Sequence, residues 1–304
     1  MHKVSVTIPA AVNSLAPGLK TLGLAVSLHA HIELTTRKDD QLEMTLRGEG
    51  REEIPQGLRH PVIRAATRIF QYKEIAPAGL TALVDNRIPL NIGLDVEAAM
   101  LVGGMVAANN LTGGGIERDE LIEMVIQMGA VPEAVVTSLL GGLNVCALEA
   151  DGSLLYNSIE PPPLRVALIA PDLPDYGEQT MNVLPEQVPL ADAIFNLSRL
   201  PFVLQAIMDA DFEMLHRTLH DRLALAAYTP FIPGYEDVIR AGHKAGAAAI
   251  TLAGNGPALI VFAPYNHTLI ATAMLEAFQQ AGVPNCRYWT LGLDAQGVTI
   301  SVAE

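Results

Sequence analysis

Pro89-Leu90-Asn91-Ile92-Gly93-Leu94-Asp95-Val96-Glu97-Ala98-Ala99 joins a short β-forming segment, Leu80 to Val84, to a long apolar helical run, Asp95 to Asn109. The stretch has the outline of a strand-to-helix phosphate loop, with carboxylates where glycine and hydroxyl side chains are expected. A helix N-terminus attracts an anion through unpaired N–H groups and the positive end of its dipole, and glycines let the backbone come close. Here Asp95 suits the N-cap and Glu97 the first turn, so the helix answers its own donors. Two like charges about 4 Å apart repel by roughly 4 kcal/mol at an effective dielectric of about 20. A polyphosphate at this point therefore meets repulsion unless a cation intervenes.

Working outward, Val4 to Ile8, Leu24 to Thr36 and Gln41 to Arg47 carry β-branched or alternating residues and read as strands. The opening from Met1 to Pro9 alternates in the same way. Pro61 to Tyr72 switches to a helical spacing. The run Asp95 to Asn109 is apolar on every side and should be buried all round, ending at Asn110-Leu111-Thr112-Gly113-Gly114-Gly115. Glu117 to Met128 is an amphipathic helix. Pro132 opens a further helix that Gly141-Gly142 ends before a strand, Leu143 to Glu149. Glu160-Pro161-Pro162-Pro163 is stiff and short of ladder donors, which places a boundary between residues 1–160 and 161–304. Beyond it the pattern gives a strand at Arg165 to Ala170 and helices at Leu190 to Met208, Asp211 to Ala226 and Tyr235 to Ala245. Strands at Ala248 to Leu252 and Ala258 to Phe262, a helix at His267 to Gln280, and strands at Arg287 to Leu291 and Val298 to Val302 complete it. Without a regular βαβ alternation, the expectation is an α+β fold in two lobes.

Of 304 residues, half are hydrophobic and 17% charged, enough for a sizeable core. The net charge of −14 leaves no cationic footprint for nucleic acid or an anionic membrane. Cys146 and Cys286 sit in apolar runs and read as buried thiols. The start lacks the apolar core of a signal peptide, and no apolar run reaches the roughly 18 uninterrupted residues of a span, so a soluble cytoplasmic protein is expected. His216 and His220, four apart and followed by Asp221, form a candidate metal face without a remote third ligand, and the plainer reading is two helix histidines.

Three segments in order resemble the GHMP kinase superfamily, and within it homoserine kinase. Pro9 to Ala25 is similar to the family's Pro-Ala-Thr-Ser-Ala-Asn-Leu-Gly-Pro-Gly-Phe-Asp-Thr-Leu-Gly-Leu-Ala; the others are Pro89 to Ala99 and Leu252-Ala253-Gly254-Asn255-Gly256-Pro257, similar to Leu-Ser-Gly-Ala-Gly-Pro. Asn196 to Arg199 resembles its Asn-x-x-Arg, and Pro132 to Gly142 a further segment. The resemblance implies an N-terminal lobe like ribosomal protein S5 domain 2 over residues 1–160 and a ferredoxin-like lobe over 161–304. It also implies ATP and Mg as cofactors, a small-molecule substrate and a homodimer.

By that resemblance the nucleotide loop is Gly93, Leu94, Asp95, Val96, Glu97, Ala98 and Ala99. The substrate-side candidates are Ser14, Lys20, Arg199, Gly254, Asn255 and Gly256, and Glu123 falls at the spacing of a metal-binding acid. The departures fall on the chemistry. Ser14 and Lys20 stand where the family has Asn and Asp, so the charge facing an amino group is reversed. Gly93-Leu94-Asp95-Val96-Glu97-Ala98-Ala99 replaces Gly-Leu-Gly-Ser-Ser-Ala-Ala, and Val131, Glu133 and Ala134 replace His, Asp and Asn. Tyr228 ends a segment where the family has Arg. Phosphoryl transfer is mainly positioning and charge neutralisation, so the expectation is a homoserine kinase-like protein whose ATP-dependent reaction is lost or altered. The alternatives are an active kinase of homoserine or another small hydroxyl metabolite, with Mg²⁺ bridging the loop carboxylates to phosphate, and a non-catalytic ligand-binding or assembly protein.

Overall fold

The computed structural model describes residues 2–75 and 77–303; Met1, part of the opening alternation, lies outside them. The first half runs β1 (Lys3–Val12), β2 (Leu22–Arg37), β3 (Leu42–Gly48), α1 (Pro61–Tyr72), β4 (Gly79–Asn86), α2 (Val96–Leu111), α3 (Arg118–Gln127), α4 (Pro132–Leu140), β5 (Leu143–Leu148) and β6 (Leu154–Ile159). The second half runs β7 (Arg165–Pro171), α5 (Tyr176–Gln179), α6 (Leu190–Met208), α7 (Phe212–Thr218), α8 (Leu225–Tyr228), α9 (Tyr235–Lys244), β8 (Ala249–Leu252), β9 (Leu259–Phe262), α10 (His267–Gln280), β10 (Cys286–Gly292) and β11 (Thr299–Ala303). The mixed α+β arrangement is the one expected.

Seven strands form one sheet in the order β11-β1-β2-β4-β3, with β5 on the far end of β2 and β6 beyond it. All its pairings are antiparallel except β3 with β4. The second sheet, β10-β7-β9-β8, is antiparallel throughout. The Pro161–Pro163 stretch separates β6 from β7, and hence the two sheets, but β11 returns from the end of the chain to pair with β1. One hydrophobic core joins both halves, running from Ile8, Ile32 and Met100 to Val166, Val203 and Phe262.

Every residue of α2 from Ala98 to Asn109 is buried, which explains its lack of a polar face. Its small side chains let it lie between α1 and the strands β1 and β2. The expected helix from Asp211 to Ala226 is broken after Thr218. Asp221 is the cause: its Oδ1 accepts from the N–H groups of Leu223 and Ala224, at 2.5 and 2.6 Å, turning the chain before α8 begins. Strand β6, unforeseen, is half-exposed and pairs only with β5.

Candidate functional site

A cleft of about 780 Å³ opens where the 89–97 loop, the β1–β2 connection and the start of α4 face the 254–256 turn, Tyr176 and Tyr228. Gly93 holds the centre at φ +89, and a Cβ there would lie 1.8 Å from the carbonyl oxygen of Ala253. Gly254, at φ +60, would place a Cβ 2.5 Å from the carbonyl oxygen of Gly93. The two loops thus touch backbone to backbone, a contact that only residues without side chains permit.

Above this contact the helix start is filled by its own residues. Asp95 is the N-cap of α2, in the left-handed region at φ 45. Its Oδ1 accepts from the Ala98 N–H at 3.2 Å, and its Oδ2 accepts from the Asn13 side-chain amide at 3.0 Å. Burial lifts the Asp95 pKa to about 6; the Ala98 N–H works against this, and the nearby charges of Glu133 and Glu97 add to it. Glu133, in the first turn of α4, is 1% exposed. Ser14 Oγ donates to Glu133 Oε1 at 3.0 Å and accepts from the backbone N–H of Lys20, also at 3.0 Å. Burial holds the Glu133 carboxyl above its ordinary range, opposed by its hydrogen bonds and by the charge of Lys20. Glu97 points outward and accepts from Arg64 Nη1 at 3.1 Å. The cleft floor therefore carries one buried carboxyl, Glu133, and one half-buried, Asp95, while Lys20, Arg59 and Arg64 supply cations around it. Tyr176 closes one side by donating from its hydroxyl to the Asn255 carbonyl at 2.6 Å.

Residues 60–150 match the GHMP kinases N terminal domain. The homoserine kinase of Moorella thermoacetica is 34% identical over 281 residues, covering 91% of this chain and 93% of that protein. The homoserine kinase of Symbiobacterium thermophilum is 35% identical over 306 residues, covering 98% and 94%. This chain belongs to the homoserine kinase family of GHMP kinases. Its fold is that of the homoserine kinase structure from Cytophaga hutchinsonii, with a TM-score of 0.86 at 22% identity, covering 98% of this chain and 97% of that one. A mevalonate kinase structure is more distant, with a TM-score of 0.65 at 13% identity over 97% and 99%.

Of the residues that the homoserine kinase resemblance singled out, Ser14, Lys20, Gly93, Leu94, Asp95, Val96, Glu97, Gly254, Asn255 and Gly256 line one cleft. Ala98 and Ala99 lie fully buried beneath it. Arg199 is not brought to the cleft. Its guanidinium stacks 3.3 Å from the centroid of the Phe195 ring and donates to the Phe195 carbonyl one turn back in α6. It lines a separate pocket of about 280 Å³ with Ser198, Phe202, Met214, Arg217 and Thr218. Glu123 stands exposed on α3, outside the cleft. His216 donates from Nδ1 to the Ala248 carbonyl at 2.8 Å, and no metal-binding cluster of three or more His, Cys, Asp or Glu occurs among the described residues.

Glu133, Asn13, Arg64 and Tyr176 are among the cleft residues that the sequence did not single out as site members. Glu133 was visible as an acid behind Pro132, but nothing local marked it as buried. Asn13 and Arg64 earn their places through partners 82 and 33 residues away. Tyr176 reaches Asn255 across 79 residues, and no periodicity carries such a contact.

Proposed function

We propose that this chain is a homoserine kinase-like protein, with residues 1–160 and 161–304 as its two lobes, whose ATP-dependent phosphorylation of homoserine is lost or altered. Its cleft would serve a small-molecule ligand in the cytoplasm instead. The observation that carries the reading is the occupation of the α2 N-terminus by the side chain of Asp95. ATP is what family membership implies, so the residues present must be tested against it. A triphosphate needs free N–H donors and a hydroxyl at this helix start. The Ala98 N–H is already committed to Asp95, no loop hydroxyl is present from Gly93 to Ala99, and Asp95 and Glu133 add negative charge beneath. These groups do not fit a triphosphate. On the amino-acid side, Lys20 lines the cleft in place of the family's Asp, which opposes an ammonium group. A small uncharged ligand suits the cleft better than either.

Isothermal titration of ATP into the protein, with and without Mg²⁺, tests this directly. The expected result is no saturable binding below about 1 mM, equivalent to less than about 4 kcal/mol of affinity. Micromolar binding that requires Mg²⁺ would return the chain to the active kinases, with the loop carboxylates holding the metal.

A further inference from the structure

Two histidines from different helices meet outside the cleft. His216 lies in the last turn of α7 and His243 in the last turn of α9, with ring centroids 5.5 Å apart and ring planes at 85°, so the imidazoles do not stack. His216 Nδ1 is 2.8 Å from the Ala248 carbonyl oxygen, and His243 Nδ1 is 3.0 Å from that of Ala247. A carbonyl oxygen can only accept, so each Nδ1 carries the proton and each neutral ring keeps its lone pair on Nε2. Neither Nε2 has a hydrogen-bond partner among the described residues. Metal-ligating histidines are held in this way: a backbone carbonyl takes one nitrogen, fixes the tautomer and the ring direction, and leaves the other nitrogen to the ion.

The partner of His216 is not the one its sequence neighbours suggest. His220 follows four residues later, but α7 ends at Thr218, and Asp221 spends its Oδ1 on the N–H groups of Leu223 and Ala224. His243 arrives instead from α9, His216 being exposed and His243 half-buried.

We propose that His216 and His243 form a binding site for a divalent transition metal, zinc above all, through their two Nε2 atoms. Two imidazoles that share one zinc through nitrogens about 2.0–2.1 Å from it have centroids roughly 5 Å apart, close to the separation seen here. The described residues hold no group of three His, Cys, Asp or Glu that could take a metal, so water fills the other positions on the ion and the site stays open. Nitrogen donors select zinc, nickel or cobalt over magnesium and calcium, which take oxygen ligands. The site is therefore separate in chemistry, as well as in place, from any Mg²⁺ in the cleft. A bound ion would tie α7 to α9. Both anchoring carbonyls stand just before β8, whose far end runs into the 254–256 turn, so the tie braces a strand that leads to one wall of the cleft.

Isothermal titration of Zn²⁺ into the full chain at pH 7.5, as wild type and as His216→Asn, His243→Asn and His267→Gln, tests the site. Asparagine keeps an N–H for the carbonyl that Nδ1 serves and lacks Nε2, so both variants should retain the wild-type circular dichroism. His267, on α10, is the control. The wild type should bind one Zn²⁺ with a Kd below about 100 μM, and each asparagine variant should weaken this at least about tenfold, whereas His267→Gln and an excess of Mg²⁺ leave it unchanged. A second readout needs no variant: Zn²⁺ should protect His216 and His243 of the wild type from diethylpyrocarbonate, followed by peptide mass spectrometry. Absence of saturable Zn²⁺ binding below about 1 mM, binding that survives the loss of either histidine, binding lost as readily in His267→Gln, or labelling of His216 and His243 that Zn²⁺ does not alter would each overturn the proposal.

Discussion

The turn from Leu252 to Pro257 keeps the glycines of the family pattern, whereas the loop that faces it, Gly93 to Glu97, has taken on carboxylates. Both segments meet at the same backbone contact. Gly93, Gly254 and Gly256 are each hemmed in, the last by the Tyr176 hydroxyl 2.7 Å from where a Cβ would stand. The packing of the lobes demands these glycines whether or not a phosphate ever arrives. Their presence therefore reports on architecture, and the ligand chemistry has to be read from the side chains around them. Those side chains are Asp95, which caps the helix start, Glu133 and Ser14, bonded to each other, and Lys20, whose backbone N–H donates to Ser14.

The harshest break in this comparison is Gly93→Ala. The added carbon would fall 1.8 Å from the Ala253 carbonyl at a φ of +89, combining a steric clash with backbone strain. We expect a loss of about 4 kcal/mol in urea-induced unfolding, equal with and without nucleotide. A loss near zero would mean that the loops do not meet as described.

Asp95→Asn sharpens the other side. It keeps the N-cap oxygen and removes the charge. The folded protein holds a proton on Asp95 up to a pH of about 6, whereas the ordinary value is 3.8. As pH falls through 6 the folded state takes up that proton before the unfolded one does, so this group adds stability between about pH 6 and pH 4 and is flat outside that window. The gain is about 2 kcal/mol for a carboxyl that keeps some contact with solvent. Chemical denaturation of both proteins at pH 7 and pH 4 should show the variant more stable than wild type at pH 7 by that order, with the difference closing at pH 4. Taking the difference between the two proteins cancels other titrating groups, including His60, whose burial lowers its pKa to about 4 and acts with the opposite sign. A constant difference across the range would contradict a buried, charged Asp95.

Much of this architecture was legible beforehand because local patterns are dictated by local physics. Helices α1, α6 and α10 begin and end where the apolar spacing says they should, and Asp95 caps α2 as its side chain allows. What was illegible depends on distance. The break after Thr218 turns on one aspartate accepting two N–H groups, a competition that helical spacing does not display. Arg199 matched a motif, yet its guanidinium is captured by Phe195 in its own helix, so a residue in the right sequence position left the cleft. Apolar spacing likewise did not show that α6 leaves Leu190, Ile194 and Leu197 exposed.

Whether the cleft still performs phosphoryl transfer decides between a lost and a retained kinase reaction. The direct measurement is ADP release by the purified, unmodified chain supplied with ATP, Mg²⁺ and homoserine. Release indistinguishable from the protein-free background is expected; homoserine-dependent release in proportion to the amount of protein would contradict the loss of the kinase reaction.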